Sequence, residues 1–339
     1  MNRKIRNTCS SVFALLGIIA SAPQALAQQK TEISLSRQPG IFYMPSHIIE
    51  KHKLIEKYAA ALGLPSVTTK WITFSGGGAQ TDALLAGGVD ILNTGTGNLL
   101  LLWDRTKGGV KGIVATSAQP MTLISRDANI KSIKDFGPND KIAVPTVKIS
   151  TQAIVLQIAA AEAFGADQWS KLDSNTVQLG HPDAYAALSN SQHEVRSHFS
   201  IPPFTFLELK NVPGAHVVLS SPDVMGGPLS QAQFFTTTKF AEANPKIIQA
   251  VRDATKEAQD LIRSDTKAAV DIYKEVAGDK TSADDLLAWL KEPGMMEWNL
   301  EPQGTMKFAN HLFKTGTLKT QPKFWTDYYL PIAHDLKGS

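Results

Sequence analysis

Three turns in this chain combine glycine with hydroxyl or amide side chains, the residue types that bind a small polar ligand through neutral donors. They are Ser75-Gly76-Gly77-Gly78-Ala79-Gln80, Asn93-Thr94-Gly95-Thr96-Gly97-Asn98 and Thr146-Val147-Lys148-Ile149-Ser150-Thr151-Gln152. Each follows an apolar strand-like run and opens a helix-like one. Free backbone N–H groups at a helix start attract anions, and small side chains let a ligand approach them. One such turn reads as a plain helix cap. Three at successive strand ends point to a shared polar or anion site. Micromolar binding needs about 8 kcal/mol. Five or six hydrogen bonds to a charged group, at about 1.5–3 kcal/mol each, supply that after ordering costs. Helix N-termini add about 0.3–1 kcal/mol apiece for an anion, so a cage without Arg or Lys suffices.

Other residues divide between site and scaffold. Arg37 follows the first strand beside Gln38, where it could pair with an anion or sit on the surface. Arg196, His198 and Ser200 alternate on one strand face, and Ser200 ends the strand where a ligand would lie. His198 also reads as a structural imidazole. Asp183, after His181-Pro182, reads as a helix cap. Phe42 and Tyr43 read as an apolar cleft wall or as core. Trp71, Trp103, Trp169 and Trp298 fall in apolar segments and read as core. His47/His52 and His193/His198 are each five apart, a spacing that does not bring two imidazoles onto one face for a metal. The candidate ligand-binding set is therefore Arg37, Gln38, Ser75, Gly76, Gly77, Gln80, Thr94, Gly95, Thr96, Asn98, Thr146, Ser150, Thr151, His198 and Ser200, with no metal and no cofactor called for.

Short strands alternating with amphipathic helices position these turns. Strands are predicted at residues 31–36, 67–74, 90–94, 110–115, 141–144, 176–179, 194–199 and 217–220. Helices are predicted at 45–62, 79–86, 99–106, 150–164 and 182–188. From Gln233 the pattern turns helical. Asn244-Pro245 starts a helix whose stripe is Ile247, Val251, Ala254, Ala258 and Leu261. Further helices are expected at 266–276, 282–290 and 302–315. This is an α/β chain with parallel or mixed sheets covered on both faces.

Composition narrows the function. The chain has 339 residues, 43% hydrophobic and 19% charged. Arg3, Lys4 and Arg6, an apolar run from Val12 to Ala22, and Ala25-Leu26-Ala27 have the order of a secretory signal peptide. Cleavage after about Ala27 is expected, giving an exported product of 312 residues. The leader holds three of the 34 basic residues and none of the 31 acidic ones, leaving 31 against 31. A neutral product carries no footprint for nucleic acid. The one cysteine, Cys9, departs with the leader, so thiolate chemistry and disulfides are excluded. Phosphate-loop, G-x-S-x-G and H-E-x-x-H motifs are missing. The dinucleotide pattern fails at Leu100, which stands where its third glycine would be.

At these turns the sequence resembles periplasmic substrate-binding proteins of the nitrate/sulfonate/taurine class of ABC importers. The resemblance covers nearly the whole exported chain. It is most specific at Ser75–Gly78 leading into Asp82–Ile91, at Ile133-Lys134-Asp135-Phe136 before Lys141–Pro145, at Ser150-Thr151-Gln152, and at Pro322–Asp327. It implies a type II periplasmic-binding-protein fold: two doubly wound lobes, a two-strand hinge and a ligand cleft between them. Lobe one would comprise residues 28–120 and, on return, 230–339; lobe two would comprise 121–229. The implied function is capture of a small anionic or polar organic molecule by a monomer, and its delivery to a permease with a cytoplasmic ATPase. The chain departs from the family at His193–Ser197, where many members have G-x-V-D-A, so no particular sulfonate specificity carries over. A periplasmic hydrolase or transferase on the same scaffold, or a sensor for a membrane kinase, are the alternatives.

Overall fold

Two sheets share one plan. The computed structural model describes residues 30–339, so the expected signal peptide lies outside the described residues. The chain opens with β1 (Glu32–Arg37), α1 (Met44–Lys51), α2 (Leu54–Ala61), β2 (Thr68–Thr73), α3 (Gly77–Leu85), β3 (Ile91–Thr94), α4 (Thr96–Arg105) and β4 (Val110–Ser117). It crosses at residues 118–121 and continues with β5 (Thr122–Ser125), β6 (Lys141–Val144), α5 (Thr151–Phe164), β7 (Thr176–Gln178), α6 (His181–Ser189), β8 (Val195–Ser200), α7 (Phe204–Asn211), β9 (His216–Ser220) and α8 (Ser221–Met225). It returns through residues 226–231 into β10 (Ala232–Thr237). There follow α9 (Thr238–Ala243), α10 (Pro245–Ser264), α11 (Thr266–Ala277), α12 (Ala283–Trp289) and α13 (Thr305–Lys314).

The sheet orders are β2-β1-β3-β10-β4 and β7-β6-β8-β5-β9. In the first, β1 runs parallel to β2 and β3, while β10 lies antiparallel between β3 and β4. In the second, β6 runs parallel to β7 and β8, while β5 lies antiparallel between β8 and β9. In each sheet, the inserted antiparallel strand is the one the chain forms on arriving from the other.

Packing follows from the apolar stripes. Ile33 and Leu35 of β1, Ile48 and Ile49 of α1, and Ile247, Val251, Ala254 and Ala258 of α10 bury in one cluster with Val270 and Tyr273 of α11. A second cluster joins the two halves, since Leu99 and Leu102 of α4 bury beside Ile154 and Ile158 of α5. The α5 face is unusually apolar because most of the helix is enclosed, from Thr151 to Ala160.

Several local expectations are corrected. The helix expected over 45–62 is two helices, because Lys53 takes a left-handed φ of 48° between α1 and α2. Helix α4 begins at Thr96, three residues before the expected start, which puts Thr96 and Asn98 in its first turn. Strands β5 and β10 and helices α7 and α8 were not expected. Asp183 does not cap α6, whose N-cap is Gly180 without a side-chain bond. Phe42, Tyr43, Trp103 and Trp298 are buried, whereas Trp71 and Trp169 are only half-buried. Among the described residues no helix is long and apolar enough to cross a membrane.

Candidate functional site

The carboxyl ends of the parallel strands face one another across the halves. The turn after β2 meets the turn after β6: a Cβ on Gly76 would lie 2.9 Å from the carbonyl oxygen of Pro145, and Gly78 N–H donates to Thr146 Oγ1 at 3.4 Å. The turn after β3 meets the start of α5, where a Cβ on Gly95 would lie 2.5 Å from Thr151 Oγ1. Gly180, opening α6, lies against the Ser75 carbonyl. On the far side, Ile41 N–H donates to Pro202 O at 3.0 Å. Only hydrogen-sized side chains permit the first two approaches.

Around Gly95 sit polar atoms from both halves. Thr151 is 1% exposed and its Oγ1 has no partner; Asn98 Oδ1 and the Gln231 carbonyl border the same spot, and Gln231 Oε1 and Ser200 Oγ are also buried and unpartnered. Buried polar atoms are normally satisfied, so the unpartnered Thr151 hydroxyl beside Gly95 calls for a ligand or water. Gln231 was missed by sequence reading, because it stands in a crossing segment with no strand or helix pattern.

Other predicted residues bind one another. Gln38 Nε2 donates to Gln80 Oε1 at 2.9 Å and to Thr94 Oγ1 at 2.7 Å, and Gln80 Nε2 donates to Ser36 Oγ at 2.8 Å and to Asn93 O at 3.1 Å. Tyr43 closes this cluster, and burial pushes its hydroxyl pKa up, opposed by Thr94 and Gln38. The phenol is thus a neutral group. Asn98 Nδ2 donates to Thr81 Oγ1 at 3.3 Å. The Thr96 hydroxyl donates to Ser230 O and accepts from Gln233 Nε2 at 2.8 Å, so it pins the returning crossing segment. Ser150 caps α5, accepting from Ala153 N–H at 3.3 Å.

Arg37 points elsewhere. Alternation along β1 sends Ser36 and Gln38 to the Gln80 cluster and Arg37 to the opposite face. There its Nη1 stands 2.5 Å from Glu50 Oε2, at ion-pair distance without an aligned hydrogen bond, and the guanidinium lies 5.2 Å from the Trp71 ring. Burial pulls its pKa below the ordinary value against the opposing pull of Glu50.

His198 is fully buried behind the second half's loops. Its Nε2 is 2.8 Å from His181 Nδ1, its Nδ1 is 2.5 Å from Glu208 Oε1, and Gln152 Nε2 is 3.3 Å from His181 Nε2. Sequence reading found His198 but not its partners, which are 17 and 10 residues away. Burial, with His198 adjacent, holds His181 well below the usual imidazole range. Among the described residues no three His, Cys, Asp or Glu side chains gather as a metal would need.

No family model and no curated protein matches the chain in sequence. Solved structures do match it in shape. The alkanesulfonate-binding protein SsuA from Xanthomonas axonopodis pv. citri, bound to MOPS, superposes with a TM-score of 0.68 at 16% identity, over 92% of this chain and 100% of that one. The periplasmic nitrate-binding protein NrtA from Synechocystis PCC 6803 gives 0.66 at 14% identity, over 90% and 86%. A Candida albicans protein with the generic periplasmic binding protein fold gives 0.62 at 13% identity, over 88% and 96%. This chain has the periplasmic binding protein fold. The glycine turns and Thr151 lie where loops of the two sheets meet. At these identities the likeness is one of fold, and the chemistry of the groove has to be argued from its own residues.

Proposed function

We propose that this protein is the solute-binding component of an importer, holding a small anionic or polar organic molecule between its lobes for a membrane permease. Residues 28–120 and 230–339 make one lobe in this reading, and 121–229 the other. The observation that carries it is the meeting of Gly76 with Pro145 and of Gly95 with Thr151, two approaches between different sheets with the unpartnered Thr151 hydroxyl at the second. Hydrogen bonds given from both lobes form together only when the lobes close, so ligand shifts the population toward the closed form. Sulfonate- and nitrate-binding neighbours of the same fold support an anion with a small oxygen cluster. The groove's donors are neutral, and the role is capture without turnover.

The test is a thermal-shift panel of ethanesulfonate, nitrate, bicarbonate, benzoate and uracil on purified residues 28–339, followed by calorimetry on any stabilising compound. One compound should raise the melting midpoint and bind at a stoichiometry of one, unchanged when mass spectrometry re-examines it after incubation. Conversion of the bound compound to a product would replace the receptor reading with an enzymatic one.

A further inference from the structure

The second lobe contains a file of four side chains that ends at the groove: Gln152 at the start of α5, His181 at the start of α6, His198 on β8 and Glu208 on α7. His198 and Glu208 are 0% exposed, Gln152 is 1% and His181 is 3%. One hydrogen bond joins each neighbouring pair, at 3.3, 2.8 and 2.5 Å. Thr151, one residue from Gln152, faces Gly95 of the other lobe, and Gly180, one residue from His181, faces Ser75. The Gln152 end of the file therefore stands next in sequence to residues that meet the other lobe.

Its chemistry is directional. A neutral imidazole has one donor and one acceptor nitrogen. With Glu208 ionised and both rings neutral, His198 Nδ1–H donates to Glu208, His181 Nδ1–H donates to His198 Nε2, and the Gln152 amide NH2 donates to His181 Nε2. The Gln152 carbonyl is then its free end. One added proton, taken from solvent onto Glu208 or onto His198 beside the carboxylate, reverses the sequence. His198 Nε2–H then donates to His181 Nδ1, His181 Nε2–H donates to the Gln152 carbonyl, and the amide NH2 is left free.

We infer that Gln152 is a specificity-determining residue of the groove, and that an anionic ligand is bound together with one proton that turns the Gln152 amide donor toward it. This rests on the receptor reading above. Glu208 Oε2 has no hydrogen-bond partner of its own. The low pKa of His181 keeps the added proton off that ring as a second charge. The charged neighbours are engaged elsewhere or stand at the margin. Arg196 on β8 pairs with Asp127, Lys210 on α7 pairs with Asp285, and Lys148 before α5 acts on Asp173. Lys141 begins β6; Asp183 and Tyr185 follow His181 on α6, and β5 carries no charge. Phe204 covers the His181 ring at 6.0 Å.

The experiment is calorimetry of ethanesulfonate and of nitrate with the full exported chain, in buffers of differing ionisation heat between about pH 5 and 8. The wild type should take up as much as one proton per anion bound, with affinity falling up to tenfold per pH unit at the alkaline end. Glu208→Gln can donate or accept at His198 without a proton, and should bind with a flat pH profile. Gln152→Glu leaves the file folded but offers no donor, and should lose at least tenfold in affinity. Nitrogen-15 spectra of the two rings should show both tautomers exchanging together as pH falls, with or without ligand. Anion binding that is equally pH-independent in wild type and Glu208→Gln, with fixed tautomers, overturns this inference and leaves the receptor standing. If neither anion nor any compound of the panel binds, the receptor reading falls and takes this inference with it.

Discussion

Gly97 of α4 lies so close to the carbonyl oxygen of Ile149 that no Cβ fits between them, although α4 follows a strand of one sheet and Ile149 a strand of the other. An added methyl would also stand 2.8 Å from Ile154 Cδ1. Backbone, unlike a long side chain, cannot swing aside. Gly97→Ala should therefore push the start of α5 away from α4, costing about 1–3 kcal/mol of stability. Thermal melts should show that loss, and calorimetry should show ligand affinity reduced at least tenfold. Wild-type affinity in this variant would mean that the α4–α5 approach does not govern closure.

Thr151 and Thr96 carry the same hydroxyl in opposite circumstances. Thr151 Oγ1 has no partner, whereas Thr96 Oγ1 bonds Ser230 and Gln233. Thr151→Val is expected to weaken an anionic ligand by about 10- to 100-fold while leaving the melting midpoint in place. Thr96→Val is expected to lower stability by about 1–3 kcal/mol, with affinity nearly preserved in the folded fraction. Paired calorimetry and melting curves separate the two, and the reverse pattern would move the site from Thr151 to Thr96.

Arg37 supplies a control outside the groove. It bridges Glu50 on α1 and the Trp71 ring on β2. Arg37→Met keeps much of the packing and removes the charge, so urea unfolding should report a loss of about 1–3 kcal/mol. Ligand affinity should stay within twofold of wild type. A large affinity loss would return this guanidinium to the ligand.

Acid sensitivity should come in part from His47. Its Nδ1 faces Tyr43 O at 2.8 Å, and burial, with Arg37 nearby, pushes its pKa down to about 3. The unfolded chain restores an ordinary imidazole, with a pKa near 6.5. Between those values the unfolded state holds a proton that the folded state rejects, so stability falls as pH drops below about 6.5, by as much as about 1.4 kcal/mol per unit. The stability difference between wild type and His47→Gln, followed from pH 7 downward by urea unfolding, should shrink accordingly. A constant difference would show that His47 accepts its proton in the folded state.

Much of the architecture was legible along the chain. β6 begins and ends where the sequence placed it, and α5 follows its Ser150 cap, because alternation and capping are local properties. β5 and β10 were not legible. β10 pairs Phe235 with Leu92 and Gly112, residues more than a hundred positions away, and its adjacent Phe234 and Phe235 are both enclosed, which erases the two-residue rhythm. The α1–α2 break was hidden too, since Lys53 is not a residue type that announces a left-handed turn.

The candidate site divides in the same way. Glycine beside Ser, Thr, Asn and Gln at three strand ends is a local signature, and it marked Gly76, Gly95 and Thr151 before any coordinates. Arg37 and Gln38, read together as ligand-binding candidates, face opposite ways in the fold. Which of those faces looks into the groove depends on what packs over the sheet, and only the fold placed α1 on the Arg37 side. The amino-acid order by itself determined where backbone turns expose their amides, because turn and cap preferences act over a few residues. Tertiary structure alone decided which hydroxyls are left without partners and which imidazole meets which carboxylate, because hydrogen bonds between distant elements depend on distances that no short stretch of chain encodes.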